Sequence, residues 1–249
     1  MIPTQAWILH TRDPRSLLYR QHTAASCVSV NLPYRYVKGW EPWSHQDLDD
    51  FSLDSRNDST VNQQRMWQHL RVMLGFAPDE MICHHDMILG GAACSASHYM
   101  MWHRVVTENQ CVVILEHDAL LLQDPRIEVP DNALVCLGYK LFDPGRYDHH
   151  SAGPPRQIVP VRRVAGSHAY VLTPATARSL LDDLRVNGIR ECIDNYFFVR
   201  DKPGNECVIP IAMMDPTPAI AWLRESTIWQ DSCEQNFEIL PSFQAHIIS

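Results

Sequence analysis

The sequence has no excess of basic charge, no apolar run long enough to cross a bilayer, no CxxC pair, no internal repeat and no low-complexity tract. Each absence removes a class of protein. Asp and Glu outnumber Lys and Arg, 29 to 21, for a formal charge of −8, which argues against a broad basic face for nucleic acid or anionic lipid. No window approaches 18 apolar residues, and the N-terminal MIPTQAWILHTRDPR has no charged leader before a long apolar stretch, so neither a membrane span nor secretion is expected. Eight cysteines are scattered at 27, 83, 94, 111, 136, 192, 207 and 233. Several lie in apolar runs, where a thiol behaves as a small hydrophobe. The expectation is a soluble, cytoplasmic protein in a reducing compartment.

What is present is enough apolar residue, 45% of 249, for a sizeable core. Nothing reads as a linker, so residues 1–249 are taken as a single domain. Ala6 to Leu9 is a short apolar run, a first strand, ending in the loop HTRDPR. Residues 35 to 60 are polar and aromatic and read as irregular. In DSTVNQQRMWQHLRVMLGF, Met66, Trp67, Leu70, Met73 and Leu74 recur at helical spacing, with Ser59 to cap the front and Gly75 to close the back. A second helix is expected over Ala92 to Glu108, followed directly by a strand at 111. Ala133 to Leu137 is another strand between Asp131 and Gly138. Residues 139 to 163 are too long for an ordinary connection and read as either functional or mobile. Ala169 to Leu172 is a strand; Thr173 caps the next helix, Pro174 opens it, and Asn187 and Gly188 stop it. Strands alternating with helices predict an α/β fold with a mixed, mainly parallel sheet flanked by helices.

One strand ends oddly. CVVILEHDA, residues 111–119, runs from β-branched residues straight into Glu116, His117 and Asp118. Open α/β sheets bind ligands at the carboxyl edge of their strands. Two carboxylates one residue apart there can converge on a hard divalent cation, Mg²⁺ or Mn²⁺, bridging a diphosphate. The plainer alternative has them capping the next turn or pairing with arginines. CHHD at 83–86 also suggests a metal, but adjacent ligands rarely satisfy one tetrahedral ion.

GGAACSASHYMMW at 90–102, CVVILEHDA at 111–119, LVCLG at 134–138, GSHAYVL at 166–172 followed by TPATARSLL, and IDNYF at 193–197 resemble, in order and interval, glycosyltransferase family 25. That family includes lipooligosaccharide and collagen galactosyltransferases. Gly90, Cys94, Ser97, His98 and Trp102 match its first motif, with Ala93 for a glycine. Leu115, Glu116, Asp118 and Ala119 match the second, with His117 in place of a central aspartate. Gly166, His168, Ala169 and Tyr170 match a later one, with Ser167 for threonine. Ile193-Asp194 and ESTIWQD from Glu225 complete a resemblance spanning roughly 90 to 230.

The resemblance implies a GT-A-like fold and a UDP-sugar donor bound through a divalent cation, Mn²⁺ or Mg²⁺, with inversion at the anomeric centre. It implies Glu116 and Asp118 as metal ligands. His10, Thr11 and Arg12, after the first strand, and Gly166, Ser167 and His168 are then candidates for the donor, and His98 and Asn195 for substrate. The acceptor hydroxyl must lose a proton. Asp194, before the aromatic pair Tyr196 and Phe197, is the candidate base, against the alternative of a helix cap. The acceptor lies on a glycan, a protein or a modified base. Two other readings stay open: a non-catalytic nucleotide-sugar or glycan-binding protein, if His117 abolishes metal binding, and a DNA-modifying glycosyltransferase, which would need Arg12, Arg15, Arg20, Arg156, Arg162 and Arg163 to cluster.

Overall fold

The structure, a computed structural model, describes residues 1–40, 67–68, 70–77, 89–140, 154–155, 157–160, 167–189, 193, 209–215 and 217–221. The chain forms β1 (Gln5–His10), α1 (Pro14–Ser29), β2 (Tyr34–Lys38), α2 (Leu89–Glu108), β3 (Val112–Glu116), β4 (Ala119–Leu121), β5 (Leu134–Cys136), β6 (Gly138–Lys140), β7 (Gln157–Pro160), β8 (Ala169–Leu172), α3 (Pro174–Asn187), β9 (Ile211–Asp215) and β10 (Ala219–Ala221). Seven strands make one mixed sheet in the order β2-β1-β3-β8-β5-β9-β7, and β4-β10-β6 make a small second one. In the large sheet β2, β1, β3, β5 and β9 run one way, while β8 and β7 run against them.

Both faces of the large sheet are covered, which is why its strands read as continuous apolar runs. Alternation along β3 sends Val112 and Ile114 into one core, with residues of α2, α3 and the helical stretch 70–74. Val113 and Leu115 go into the other, with Ala24 and Cys27 of α1 and Ala119, Leu121 and Ala219 of the small sheet. All four β3 side chains are fully buried, each contributing about 1.5–3 kcal/mol of apolar burial.

Local chemistry sets the helix ends. Thr173 caps α3, its side chain accepting from Thr176 N–H, with Pro174 in the first turn and Gly188 following at φ 69°. Gly75, at φ 71°, ends the helical stretch before it, as the sequence predicts. Three expectations fail. The loop HTRDPR gives way to α1 at Pro14, because Asp13 Oδ1 accepts from Arg15 N–H at 2.8 Å and Pro14 fits the first turn. The buried face of α1 is Ser16, Tyr19, Thr23, Ala24 and Cys27, small and polar residues that hide the helical period. Residues 34–38, expected to be irregular from 35, form β2, paired in parallel with β1 from Ala6↔Tyr34 to His10↔Lys38; tyrosine and valine suit that pleated position. The supposed loop at 139–163 contains strand at both ends of its described part, β6 and β7.

The antiparallel β8 matters most for function. Leu9 faces Glu116 and Leu115 faces Ala169 in register. The strand therefore starts where β1 and β3 end. That brings Ser167 and His168 to the carboxyl edge beside Glu116, whose N–H donates to His168 C=O at 2.8 Å.

Candidate active site

Glu116 is the last residue of β3 and belongs, by alternation, to the α2 side of the sheet. Its side chain keeps 19% of its exposure, while His98 of α2, against it, keeps none. Ser167 Oγ donates to Glu116 Oε1 at 2.5 Å, and His98 Nε2 lies 3.2 Å from the same oxygen. His98 Nδ1 is 2.7 Å from Tyr170 Oη, which accepts from Trp102 Nε1 at 2.9 Å. One proton assignment satisfies the whole chain. Trp102 donates to Tyr170, Tyr170 donates to His98 Nδ1, and His98 Nε2–H donates to Glu116. Burial opposes ionisation of Glu116, but the hydrogen bonds donated by His98 and Ser167 outweigh it. They hold the carboxyl at about 2, below the ordinary 4.5. The site thus presents a fixed anion at the rim of the sheet.

On the other side of the sheet lie His117 and Asp118, in the turn between β3 and β4 and 8% and 9% exposed. His117 stacks on Tyr19 at 6.3 Å, and its carbonyl accepts from Thr23 Oγ1 at 2.7 Å. The charge of Asp118 reaches the Tyr19 hydroxyl, whose pKa burial and that charge raise. Glu116 therefore faces α2, while the turn that carries Asp118 packs on α1 through His117.

Beside that turn is the end of β1. His10 has its pKa lowered chiefly by burial, with the fields of Arg20, His117 and Lys38 adding to it against a backbone bond to Thr11. The neutral ring donates from Nδ1 to Thr11 C=O at 3.0 Å and accepts at Nε2 from Arg20 Nη1, also at 3.0 Å. Thr11 N–H donates to Ser16 Oγ at 2.9 Å, and Arg12 is exposed. Arg20 also lies 4.4 Å above the Tyr36 ring.

The structure thus brings together His98, Glu116, Ser167 and His168, and separately His10, Thr11 and Arg12 with the turn at His117 and Asp118. Gly166, Asp194 and Asn195 lie outside the described residues, as does CHHD at 83–86. Ile193, however, is buried, and its N–H donates to Ser95 Oγ of α2 at 3.0 Å. Ile193 is therefore tied to the helix that holds His98.

Sequence reasoning missed several parts. Tyr170 and Trp102 brace His98 across 68 to 72 residues of sequence, which no local pattern reveals. Ser97 Oγ accepts from Trp40 N–H at 2.7 Å and fastens the chain after β2. Gly138 lets β6 pass close by, since a Cβ there would lie 2.4 Å from Ala219 O and 2.8 Å from His168 Nε2. Cys94, read as a packing thiol, offers its sulfur with His98 and Glu116, all three ligand atoms within 4.8 Å of one another. Its spacing of four from His98 was the available signal.

Comparison with known proteins gives three results. No curated protein matches the chain. Among solved structures, the glycosyltransferase GlyE of Streptococcus pneumoniae TIGR4 is similar at 8% identity and a TM-score of 0.43, over 100% of this chain and 61% of that one. The chain therefore spans about three-fifths of that structure's length. The profile of glycosyltransferase family 25 (LPS biosynthesis protein) matches residues 15–129, reaching back to α1 and ending before GSHAYVL. That stretch contains both GGAACSASHYMMW and the strand that delivers Glu116, so the part of the chain that resembles glycosyltransferase family 25 is the part that builds this edge of the sheet.

Proposed function

We propose that the chain transfers a sugar from a nucleotide-sugar, a UDP-sugar in the first instance, to an acceptor hydroxyl. The carrying observation is Glu116 set by β3 at the carboxyl edge of the sheet and oriented by His98 and Ser167, within the segment that matches family 25. In this reading residues 1–249 act as one GT-A-like unit, and Glu116 and Asp118 hold a divalent cation, Mn²⁺ or Mg²⁺. The donor set suits a hard cation: Glu116 closes β3, Asp118 follows in the turn, and the hydrogen bonds of Glu116 among the described residues fall on Oε1. When bound, such a cation neutralises charge on the departing diphosphate.

The protein's own groups have distinct tasks. His98, fully buried, is a positioning residue that fixes the Glu116 carboxylate through Nε2, while Ser167 fixes it from β8. Neutral His10 orients Thr11, and exposed Arg12 stands beside them to meet phosphate. Gly166, Ser167 and His168 are assigned to the donor and Asn195 to the substrate, as the motifs they belong to imply. Asp194, next to Ile193 in the sequence, takes the proton of the acceptor hydroxyl, with inversion at the anomeric carbon. Cys27, Cys94, Cys111 and Cys136 stand outside any disulfide, which suits work in a reducing cytoplasm. Among the described residues no helix is long and apolar enough to cross a membrane.

The test is nucleotide release from UDP-, GDP- and TDP-sugars with Mn²⁺. Glu116→Gln and Asp118→Asn, each checked for folding by circular dichroism, are expected to lose at least about 100-fold in kcat, the scale for removing one group that stabilises developing charge. Folded variants that release nucleotide at the parent rate would contradict the assignment.

A further inference from the structure

We propose that Cys94, His98 and Glu116 form a binding site for a borderline transition-metal ion such as Zn²⁺ or Co²⁺. This is distinct in chemistry from the all-carboxylate pair of Glu116 and Asp118. The site does not depend on the glycosyltransferase reading, although it shares one carboxylate with it. Cys94 and His98 are four residues apart on α2, so their side chains leave the same face of the helix one turn from each other. Glu116 comes to that face from the end of β3.

The distances suit a metal. Two ligand atoms about 2.0–2.1 Å from a tetrahedral ion stand roughly 3.3 Å apart. His98 Nε2 and Glu116 Oε1 are 3.2 Å apart. The thiol's separations from them, inside 4.8 Å, need only reach the roughly 3.6 Å that a metal–sulfur bond of about 2.3 Å requires. A turn of the cysteine side chain supplies such a change.

The donor set gives the selectivity. Thiolate, imidazole and carboxylate together favour borderline ions over Mg²⁺ or Ca²⁺, which prefer oxygen throughout. The surrounding groups already orient the ligands, as the outer partners of metal sites do. Tyr170 Oη, itself held by Trp102, fixes the His98 ring at Nδ1, and Ser167 fixes the carboxylate of Glu116. His98 is fully buried, whereas Cys94 and Glu116 keep partial exposure. An ion therefore reaches the site from the side of those two, and a fourth position remains there for water or substrate. The proton balance is simple. Binding at Nε2 shifts the imidazole proton to Nδ1, which then donates a hydrogen bond to Tyr170 Oη while the tyrosine keeps its own proton, and the Cys94 thiol proton goes to solvent.

Titration of the metal-stripped full chain with Co²⁺ tests this without any turnover. The expected result is a thiolate-to-cobalt charge-transfer band in the near ultraviolet and tetrahedral d–d bands in the visible. They should saturate at one equivalent, and Zn²⁺ but not Mg²⁺ should displace the ion. Cys94→Ser must abolish the charge-transfer band, and Glu116→Gln must shift the d–d bands. Asp118→Asn must leave both in place, which separates this site from the hard-cation pair. Should Cys94→Ser fail to fold by circular dichroism, Cys94→Ala serves the same purpose. A missing band, a band that persists without Cys94, one lost in Asp118→Asn, or equal displacement by Mg²⁺ would each overturn the proposal. Loss of sugar transfer with the bands intact would instead count against the glycosyltransferase reading alone.

Discussion

Replacing Tyr170 by phenylalanine isolates the hydroxyl that holds the Glu116 network together. Tyr170 is fully buried, and phenylalanine keeps its ring, so the change opens no cavity of consequence. It removes two hydrogen bonds, from Trp102 Nε1 at 2.9 Å and to His98 Nδ1 at 2.7 Å. Stripping a buried polar group of its partner costs about 1–3 kcal/mol, so two such losses total about 2–6 kcal/mol. Release of the hydroxyl's own desolvation penalty favours the lower half of that range. Against a total stability of about 5–15 kcal/mol, the loss is large. With a urea slope of about 3 kcal/mol/M, the unfolding midpoint should fall by about 1 M, read by far-ultraviolet circular dichroism. In a double-mutant cycle with Glu116→Gln, the relay should show a coupling above about 0.5 kcal/mol, since the two groups act through His98. A phenylalanine variant within about 0.5 kcal/mol of the parent, or a coupling near zero, would refute the idea that Tyr170 and Glu116 belong to one hydrogen-bonded unit.

Gly138→Ala places a methyl group 2.4 Å from the Ala219 carbonyl oxygen, which is backbone and cannot swing aside. Destabilisation of at least about 1–3 kcal/mol is expected in thermal melts, and an equally stable variant would contradict the close passage of β6 and β10. Burial pushes the Cys27 thiol up to about 12 and the Cys111 thiol up to about 11. At pH 8 both should therefore resist alkylation until the protein unfolds, as peptide mass spectrometry reads, and rapid native labelling of either would count against their burial. Glu108 accepts from Arg35 Nη2 and Arg104 Nε, each at 2.6 Å; although its burial opposes ionisation, those arginines carry its pKa below the usual 4.5. Its contribution to stability is therefore complete above pH 4.5 and fades as pH falls below it. Glu108→Gln should flatten the acid limb of the stability curve, and an unchanged limb would show the ion pairs to be inert.

Much of the large sheet was legible because its strands are buried on both faces and read as apolar runs with β-branched residues. Val112 to Leu115 and Ala169 to Leu172 are such cases. The helices at 89–108 and 174–187 were legible because their periods and stops are explicit, Thr173-Pro174 and Gly188 above all. Helix α1 was hidden because it buries serine, threonine, alanine and cysteine rather than leucine. The direction of β8 was hidden too, since an apolar run says nothing about which way it crosses the sheet. At the site, acids one residue apart at a strand end were visible in the sequence. That Glu116 turns to α2 while the turn carrying Asp118 packs on α1 was not, because it depends on the strand's register against the helices on each face. Cys94 was passed over because a thiol in a helix is ordinarily a packing residue; its partner, Glu116, lies 22 residues further along the chain.

The most direct measurement is the thermal stability of the full chain with UDP and Mn²⁺ together. Ligand at 100 times its Kd stabilises the folded state by about 2.7 kcal/mol. The melting temperature should therefore rise with the parent protein and stay unchanged in folded Glu116→Gln and Asp118→Asn variants. A protein that shifts with no uridine, guanosine or thymidine diphosphate or its sugar, or that shifts equally without the two acids, would contradict a donor diphosphate held at this edge of the sheet.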